Sequence, residues 1–251
     1  TKPGTRLLTK ARDGSVVLSE SDLADAVNDG AVVFEALHDL TLYYAHNEIR
    51  FYTWSDSECC LPKGATKATL RNDNGLRLAA GGVLIFEEVL SPTTGTKADA
   101  DRSRRHAVRL TQVAATDADG QPLVDPLDNT PTVEIEWDDE DALPFALCLS
   151  ARVEQDEGTT ELIECSLARG NVVLADHGLT YEDEDLDPSS VPALGRYRPK
   201  LDKEGLTFGE DYDHESAKAE PASQMLEQDP REALPRIRLS DGIENWTARQ
   251  D

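Results

Sequence analysis

The chain has 251 residues, of which 39% are hydrophobic and 29% charged, and 49 acidic residues against 25 basic ones give a formal net charge of −24. This charge repels phosphate backbones and anionic lipid, which argues against nucleic-acid binding and membrane-surface binding. No apolar run approaches the ~20 residues of a membrane helix, so we expect no membrane insertion. The acidity fits either adaptation to a salty cytoplasm or an ordinary acidic protein.

The N-terminal residues predict a strand, a hairpin and then a helix. Residues 2–8 predict a turn followed by a strand, and Asp13-Gly14 predicts a hairpin turn with a returning strand over residues 15–18. Residues 19–28 predict a helix, because Ser19 or Ser21 can cap it and Gly30 ends it.

A series of short strands is predicted after this helix. The clearest alternation is at residues 132–137, where Val133, Ile135 and Trp137 fall on one side. Strand signals recur at roughly 8–15-residue intervals, as in an all-β sandwich or barrel. The predicted strands are residues 31–34, 40–44, 49–54, 65–70, 82–89, 104–113, 132–137, 145–152, 161–168 and 171–175.

The composition changes near residue 181, where an acidic stretch is followed by repeated prolines. Only a short helix at residues 222–228 and a strand at residues 237–239 are predicted there. We therefore expect three regions: a strand and helix segment at 1–48, a central β domain at 49–180, and an extended Pro-rich arm at 181–251. The predicted fold class is mainly β, a sandwich- or barrel-like antiparallel domain with one or two short helices and a Pro-rich extended C-terminal arm.

No catalytic motif occurs in the sequence. The G-x-S-x-G, H-E-x-x-H, G-x-x-x-x-G-K and G-x-G-x-x-G patterns are absent, and the five histidines are scattered. Asp176-His177-Gly178 can be half of an acid–base pair or a turn at the end of a strand. We expect no enzymatic activity, no catalytic residue and no cofactor.

Four cysteines are the remaining candidates for chemistry: Cys59, Cys60, Cys148 and Cys165. The adjacent pair is not a C-x-x-C zinc knuckle, and a shared metal site would require the fold to bring all four together. We expect free thiols and no metal site. The surrounding residues 51–70 predict a strand, a turn and a strand, with Trp54 and one cysteine of the pair in the core.

Charged loops offer two further candidates. Asp117-Ala118-Asp119-Gly120 and Asp211-Tyr212-Asp213 resemble pieces of calcium loops but lack the distal Glu of an EF-hand, and acid-rich turns need no metal. The densest basic patch comprises Arg102, Arg104, Arg105 and His106. We interpret Arg102, Arg104 and Arg105 either as a contact for an acidic partner surface or as a solvated loop.

Several stretches of the sequence resemble a known family. They are residues 34–42, 54–70, 84–89, 105–111, 140–150, 168–178, 228–235 and 245–247, and they cover most of the chain in order. The chain resembles baseplate assembly proteins of phage-like contractile injection systems, which are related to the baseplate J family of contractile-tail phages. Residues 1–48 would then belong to a baseplate J-like β region.

The resemblance implies a structural protein of the baseplate wedge. Such proteins form a ring around the central hub and spike, help to trigger sheath contraction, and have no known enzymatic activity or required cofactor. The implied partners are other wedge subunits, hub and spike proteins and sheath proteins. The implied location is the cytoplasm at synthesis and then the contractile particle. Family members are much longer, so we expect a fragment that leads to a missing C-terminal domain.

Two other functions stay open at this point. A carbohydrate- or surface-binding β domain inserted in a baseplate protein would expose Tyr52, Trp54 or Trp137 in a groove. An enzyme would need Cys59 or Cys60 beside His177, with an acid behind the histidine.

Overall fold

The computed structural model describes residues 1–10, 18–154, 158–182, 184–235, 237–240 and 242–247. The described chain is mainly β, as predicted, and its strand pairs are antiparallel. It divides into two compact units. The first contains Thr1–Asp39, Val173–Tyr212 and Gln228–Asp251, and the second contains Leu40–Val172 and Asp213–Glu227.

The regular elements follow in chain order. The helices are α1 (Glu20–Asn28) and α2 (His214–Ala217), with 3₁₀ turns at Tyr44–His46, Asp139–Asp141 and Gln224–Leu226. The strands are β1 (Arg6–Leu8), β2 (Val33–Ala36), β3 (Ile49–Arg50), β4 (Cys60–Leu61), β5 (Lys67–Arg71), β6 (Val83–Glu88), β7 (Arg105–Ala114), β8 (Thr132–Trp137), β9 (Leu147–Cys148), β10 (Ser150–Glu154), β11 (Thr160–Glu164), β12 (Ser166–Arg169), β13 (Ala175–His177), β14 (Phe208–Gly209), β15 (Leu234–Pro235), β16 (Arg238–Ser240) and β17 (Asn245–Thr247).

The second unit is built on a six-stranded antiparallel sheet with the order β3-β12-β6-β7-β8-β5. Its two edge strands approach each other, since Phe51 bridges to Leu70 and the N–H of Tyr52 donates to the carbonyl of Thr69 at 2.8 Å. The sheet is therefore a nearly closed barrel. Closure matters because an open edge strand exposes unpaired backbone groups to other chains.

The core of the barrel comes from alternating residues of its strands. In β8, Val133, Ile135 and Trp137 are buried while the two glutamates between them are exposed. Phe86 of β6 is fully buried and makes edge-to-face contacts with Phe51 at 5.0 Å and Trp137 at 5.2 Å between ring centroids. Each such burial stabilises the fold by about 1.5–3 kcal/mol. The predicted alternation is thus confirmed from Val133 to Trp137, whereas Thr132 at the start of the strand is buried as well.

Two short ribbons accompany the six-stranded sheet in the same unit. β4 pairs with β9, and β10 pairs with β11. Buried Val153, Ile163 and Cys165 form a smaller apolar cluster with Cys148 packed against it. Part of the C-terminal region also belongs to this unit, because residues 213–227 contribute buried Ala217 and Ala222.

The first unit contains the three-stranded sheet β1-β2-β13 and the ribbons β14–β15 and β16–β17. The neighbouring strands β2 and β13 are separated in sequence by the barrel segment, which is inserted between them. Helix α1 begins with a capping box, since the side chain of Ser19 accepts the N–H of Asp22 and the side chain of Asp22 accepts the N–H of Ser19. The predicted helix with its Ser19 cap is confirmed.

The arm has little regular structure. Described residues between 178 and 207 are exposed or half-buried, and Val191 and Leu194 keep 72% and 92% of their surface exposed. The short ribbons at its end bury little, since all three residues of β17 are exposed.

Four local predictions are wrong. Residues 171–174 form no strand, and β13 begins only at Ala175. Residues 40–43 form no strand and lead into the 3₁₀ turn Tyr44–His46. Residues 222–228 contain the 3₁₀ turn Gln224–Leu226 and no α-helix. Trp54 is 50% exposed and outside the core, because β3 ends early and Trp54 adopts a φ of +55° in a turn. The predicted hairpin turn at Asp13-Gly14 and most of its returning strand lie outside the described residues.

Candidate functional site

Arg104 in the predicted contact patch is held by groups of its own unit. Its Nη1 donates to the carbonyl of Ala146 at 2.5 Å, and its Nε lies 3.7 Å from Glu88 Oε2 and 3.5 Å from Asp101 Oδ2. The Glu88 side chain is only 3% exposed and also accepts the N–H of Asp101 at 2.8 Å. Arg104 therefore fastens the loop before β7 to the barrel.

Arg105 belongs to a second ion-pair network on the same sheet. Its Nε lies 3.7 Å from Glu87 Oε2, while Arg169 Nε donates to Glu87 Oε1 at 2.7 Å. Arg169 also pairs with Glu48 at 3.1 Å. Burial opposes the charge of Arg169, but its hydrogen bonds to Glu87 and Glu48 outweigh burial and raise its pKa.

Arg102 differs from the other two predicted contact residues. It is exposed and makes no ion pair with any other described residue. The fold places Arg102, Arg104 and Arg105 on one loop and the start of β7, and the patch stays a prediction as a partner contact. The uncompensated positive charge of this patch lies at Arg102, because Arg104 and Arg105 form ion pairs with acidic neighbours.

An aromatic pair, exposed Trp54 and half-buried Tyr52, lies where the barrel closes. The rings of Tyr52 and Trp54 meet edge to face with centroids 5.2 Å apart, and Trp54 Nε1 donates to Thr69 Oγ1 at 3.3 Å. The Tyr52 hydroxyl donates to Asp125 Oδ2 at 2.5 Å. The hydrogen bond to Asp125 is the main cause of a raised pKa at Tyr52. A ring half open to solvent beside fixed polar groups can stack against an apolar face of a ligand.

Trp137 is not part of this surface. Its side chain is 3% exposed and packs on Phe86 inside the barrel. Of the three rings expected to line a binding groove, the exposed one is Trp54, with Tyr52 half-buried beside it.

The four cysteines all lie in the second unit, the barrel unit (Leu40–Val172 and Asp213–Glu227). Three of them are in or beside the β4–β9 ribbon. Cys60 and Cys148 are opposite each other, and their Sγ atoms are 2.9 Å apart. Burial is the main cause that raises the pKa of Cys59, of Cys60 to about 12 and of Cys165 to about 12. These three thiols are protonated at neutral pH, whereas nucleophiles and metal ligands are thiolates.

The histidines of the described chain serve mainly as backbone partners. Buried His46 accepts the N–H of Arg77 at 3.1 Å, and burial lowers the pKa of its imidazole. His38 Nε2 accepts the N–H of Leu174 at 3.1 Å. His177 lies in β13 against the ring of Phe34, at the end of a strand. No group of three or more His, Cys, Asp or Glu residues within the described part of the chain is arranged to hold a metal ion.

Among the described residues of the second unit, the side chain of Asp141 is fully buried. It accepts three backbone N–H groups, from Arg109 at 2.9 Å, Ala222 at 2.7 Å and Ser223 at 2.9 Å. Sequence reasoning missed this residue, because its acidic run 138–141 gives no signal that separates it from its exposed neighbours. Its role is structural, since all three donors are main-chain groups.

A polar cleft of about 600 Å³ lies beside β3 and the end of β5. It is lined mainly by Tyr44, Asn47, Arg50, Arg71 and Asp73. Arg71 Nε lies 3.1 Å from Asp73 Oδ2, and Arg50 pairs with Glu164 at 3.3 Å. Both arginines of the cleft are thus ion-paired with acidic residues of the same unit.

Comparison of the chain with protein-family models, with curated proteins and with solved structures finds no match. In the part of the chain that the structure describes, no helix combines the length and apolar character needed to cross a membrane.

Proposed function

We propose that this chain is a structural component of the baseplate wedge of a phage-tail-like contractile injection system. It contributes to assembly of the ring around the hub and spike and to triggering of sheath contraction. It is made in the cytoplasm and then becomes part of the contractile particle, where it contacts other wedge subunits, hub and spike proteins and sheath proteins. The proposal assigns no catalytic step to the chain.

The structural observation that supports this proposal is the exposure of large apolar side chains along the arm. Leu194 is 92% exposed, Val191 72% and Phe208 62%. Leaving such side chains in water forgoes about 1.5–3 kcal/mol each, which contact with a neighbouring subunit would recover. An extended segment that lacks a core of its own is suited to lie on another protein.

The charge constrains how such contacts form. A net charge of −24 makes copies of the chain repel each other at low salt. Stable contacts then need basic surface on the partner or salt that screens the charge, since the Debye length falls to about 3 Å at 1 M salt. A mixed assembly with other proteins meets this condition more readily than self-association of the chain.

The test is recovery of partners from cells that carry a contractile-injection gene cluster. The tagged full-length protein is compared with a Leu194→Asp variant and with the matched control Leu127→Asp. Leu127 is 89% exposed but lies in the barrel unit. We expect wedge and sheath proteins to copurify with the parent and the control and to be lost from the Leu194 variant. Recovery of the parent without wedge, hub or sheath proteins contradicts the proposal.

A second candidate function is carbohydrate or surface binding by the barrel, and exposed Trp54 with half-buried Tyr52 beside it favours it. The polar groups beside the rings, Asp125 and Thr69, are fixed by hydrogen bonds to them. Glycan-array binding by the chain, lost in Trp54→Ala and retained in Trp246→Ala, would support this function. Trp246 is the suitable control because it is 43% exposed in the other unit. No binding to any glycan on the array would count against it.

The enzymatic alternative has little support from the thiols, because raised pKa values keep Cys59 and Cys60 protonated. Exchange of both cysteines for serine distinguishes the enzymatic alternative from a purely structural role. Unchanged recovery of wedge and sheath proteins is expected from the proposed function, and complete loss of particle activity with normal assembly would favour the enzymatic alternative.

A further inference from the structure

The β4–β9 ribbon places two thiols in register. Cys60 and Cys148 are direct partners across the antiparallel pair, although 88 residues separate them in sequence. The N–H of Leu149 donates to the carbonyl of Cys59, which makes the next pair along the ribbon, Cys60 and Cys148, a non-hydrogen-bonded pair. In such pairs the side chains lie closer together than in hydrogen-bonded pairs.

This register meets the geometric requirement for a covalent bond. The Cα atoms of a non-hydrogen-bonded antiparallel pair are about 4.5 Å apart, inside the range of about 4.4–6.8 Å that disulfides span. The two sulfurs are already in contact at 2.9 Å and share a hydrogen bond as thiols. The ribbon therefore needs little backbone movement to accommodate the bond.

Access and surroundings distinguish this pair from the other two cysteines. Cys60 is exposed and Cys148 half-buried, so a small reagent can reach the first sulfur. Cys165 is fully buried in the small apolar cluster. Cys59 precedes Cys60 along the ribbon and has Leu149 as its neighbour in register.

We propose that Cys60 and Cys148 are a reversible redox site that forms a cross-strand disulfide with a low-molecular-weight disulfide such as oxidised glutathione. Cys60, the accessible thiol, loses its proton and attacks the oxidant, which forms a mixed disulfide and releases one glutathione thiolate. Because the raised pKa of Cys60 keeps its thiolate fraction small at neutral pH, this exchange is slow, and the equilibrium with the glutathione couple, not a fast reaction, defines the site. The second protein thiolate then attacks the protein sulfur of the mixed disulfide and displaces the other glutathione. The two protons from the protein thiols end on the two released glutathiones, the protein pair is oxidised, and the oxidant is reduced.

The bond would add a covalent link to the loop of residues 54–59, which hydrogen bonds join to β10 in the reduced protein. Ser150 Oγ donates to the carbonyl of Asp56 at 3.0 Å and accepts the N–H of Cys59 at 3.1 Å. Arg152 Nε donates to Ser57 Oγ at 3.0 Å. A disulfide at Cys60 adds a covalent anchor at the end of this loop. The site stands independently of the function proposed above.

The full chain is equilibrated in buffers of oxidised and reduced glutathione, quenched with acid, alkylated with a maleimide and analysed by mass spectrometry. We expect loss of two of the four free thiols and a non-reduced peptide that joins Cys60 to Cys148. Cys60→Ser and Cys148→Ser should abolish that linkage. Cys59→Ser, the adjacent control, should shift the glutathione ratio at half-oxidation by less than about twofold.

Four free thiols at every glutathione ratio, a linkage through Cys59 or Cys165, an intermolecular disulfide, or a stable glutathione adduct as the end product each overturn the proposal. Tryptophan fluorescence verifies that each variant is folded. Should Cys148→Ser fail to fold, the exposed Cys60→Ser variant decides the outcome by itself.

Discussion

The carboxylate of Asp141 accepts the backbone N–H of Ala222 at 2.7 Å, across 81 residues of sequence. The same carboxylate accepts the N–H groups of Ser223 and Arg109. One buried side chain thus ties the C-terminal segment 213–227 to strand β7 within the barrel unit. Hydrogen bonds to a buried charged group are each worth about 1.5–3 kcal/mol.

Replacing Asp141 by Asn should destabilise the barrel unit and release this segment. The amide keeps one acceptor oxygen but places an NH₂ group against a backbone donor, so one hydrogen bond is lost and a donor is left unsatisfied. We expect a loss of about 2–3 kcal/mol in the free energy of unfolding, with faster proteolytic cleavage between residues 213 and 227. Urea unfolding and limited proteolysis measure the two effects.

Asp139→Asn is the matched control for this prediction. Asp139 lies in the same 3₁₀ turn and is exposed. Its exchange should change the free energy of unfolding by less than about 0.5 kcal/mol. Equal effects of the two substitutions would mean that the turn, and not the buried carboxylate, holds the segment.

The buried thiol of Cys165 should make the protein less stable in alkali. Burial raises its pKa from the model-compound value of 9.0 to about 12. Above pH 9 the unfolded chain loses this proton while the folded chain keeps it. The stabilisation is therefore complete below pH 9 and is lost as the pH rises towards 12, by up to about 1.4 kcal/mol per pH unit.

Urea unfolding of the reduced chain at pH 8 and pH 10.5 measures this effect by comparison with Cys165→Ala. The difference in the free energy of unfolding between the parent and the variant should shrink as the pH rises, because only the parent carries the Cys165 thiol. Lysines and tyrosines titrate in both proteins and cancel in the comparison. A difference that is constant between the two pH values would contradict the prediction.

Oxidation of the Cys60–Cys148 pair should stabilise the barrel. A cross-link between residues 88 apart restricts the unfolded chain and is worth about 2–4 kcal/mol when the folded geometry accepts it. Thermal unfolding of the chain equilibrated with oxidised glutathione, before and after reduction, measures this gain. Cys60→Ser should unfold at the same temperature under both conditions, and a gain of the same size in that variant would assign the stabilisation to another group.

Among truncations of the phenylalanines, that of Phe86 in the barrel core should lower the free energy of unfolding most. Phe86 is fully buried between the rings of Phe51 and Trp137. Phe86→Ala is expected to lower the free energy of unfolding by about 3–5 kcal/mol, because it combines lost transfer energy with a cavity. Phe208→Ala, at a ring 62% exposed, should cost less than about 0.5 kcal/mol. Denaturant unfolding of the two variants measures the contrast.

The sequence predicts those elements whose signals are local. The alternation at residues 132–137 corresponds to β8 from its first to its last residue: Val133, Ile135 and Trp137 are buried, and of the opposite face the two glutamates are exposed while Thr132 is buried. Ser19 predicts the start of α1, because its capping contact is with Asp22, only three residues away in sequence. The mainly β class follows from many signals of this kind.

The arginine patch and the Tyr52–Trp54 surface could be named from residue type, but the thiol pair and the buried carboxylate could not be predicted because they depend on contacts between distant segments. Nothing near Cys60 indicates that Cys148 is its partner, since pairing follows from the alignment of β4 with β9. The strand predicted over residues 49–54 places Trp54 in the core, but the chain turns at Trp54 and Ser55, both with positive φ. Asp141 is distinguished from its acidic neighbours only by the donors that the fold brings to it.

The insertion of the barrel segment between β2 and β13 has a consequence for how the gene can change. Ala36 pairs with Ala175, and the N–H of Leu37 donates to the carbonyl of Leu174 at 2.9 Å, so the two points where the segment leaves and rejoins its host strands are neighbours. A short turn could join those strands directly as a hairpin without altering their register. Exchange or deletion of this segment in a single recombination event would leave the host sheet intact, as in domain insertions where the two junctions lie close together.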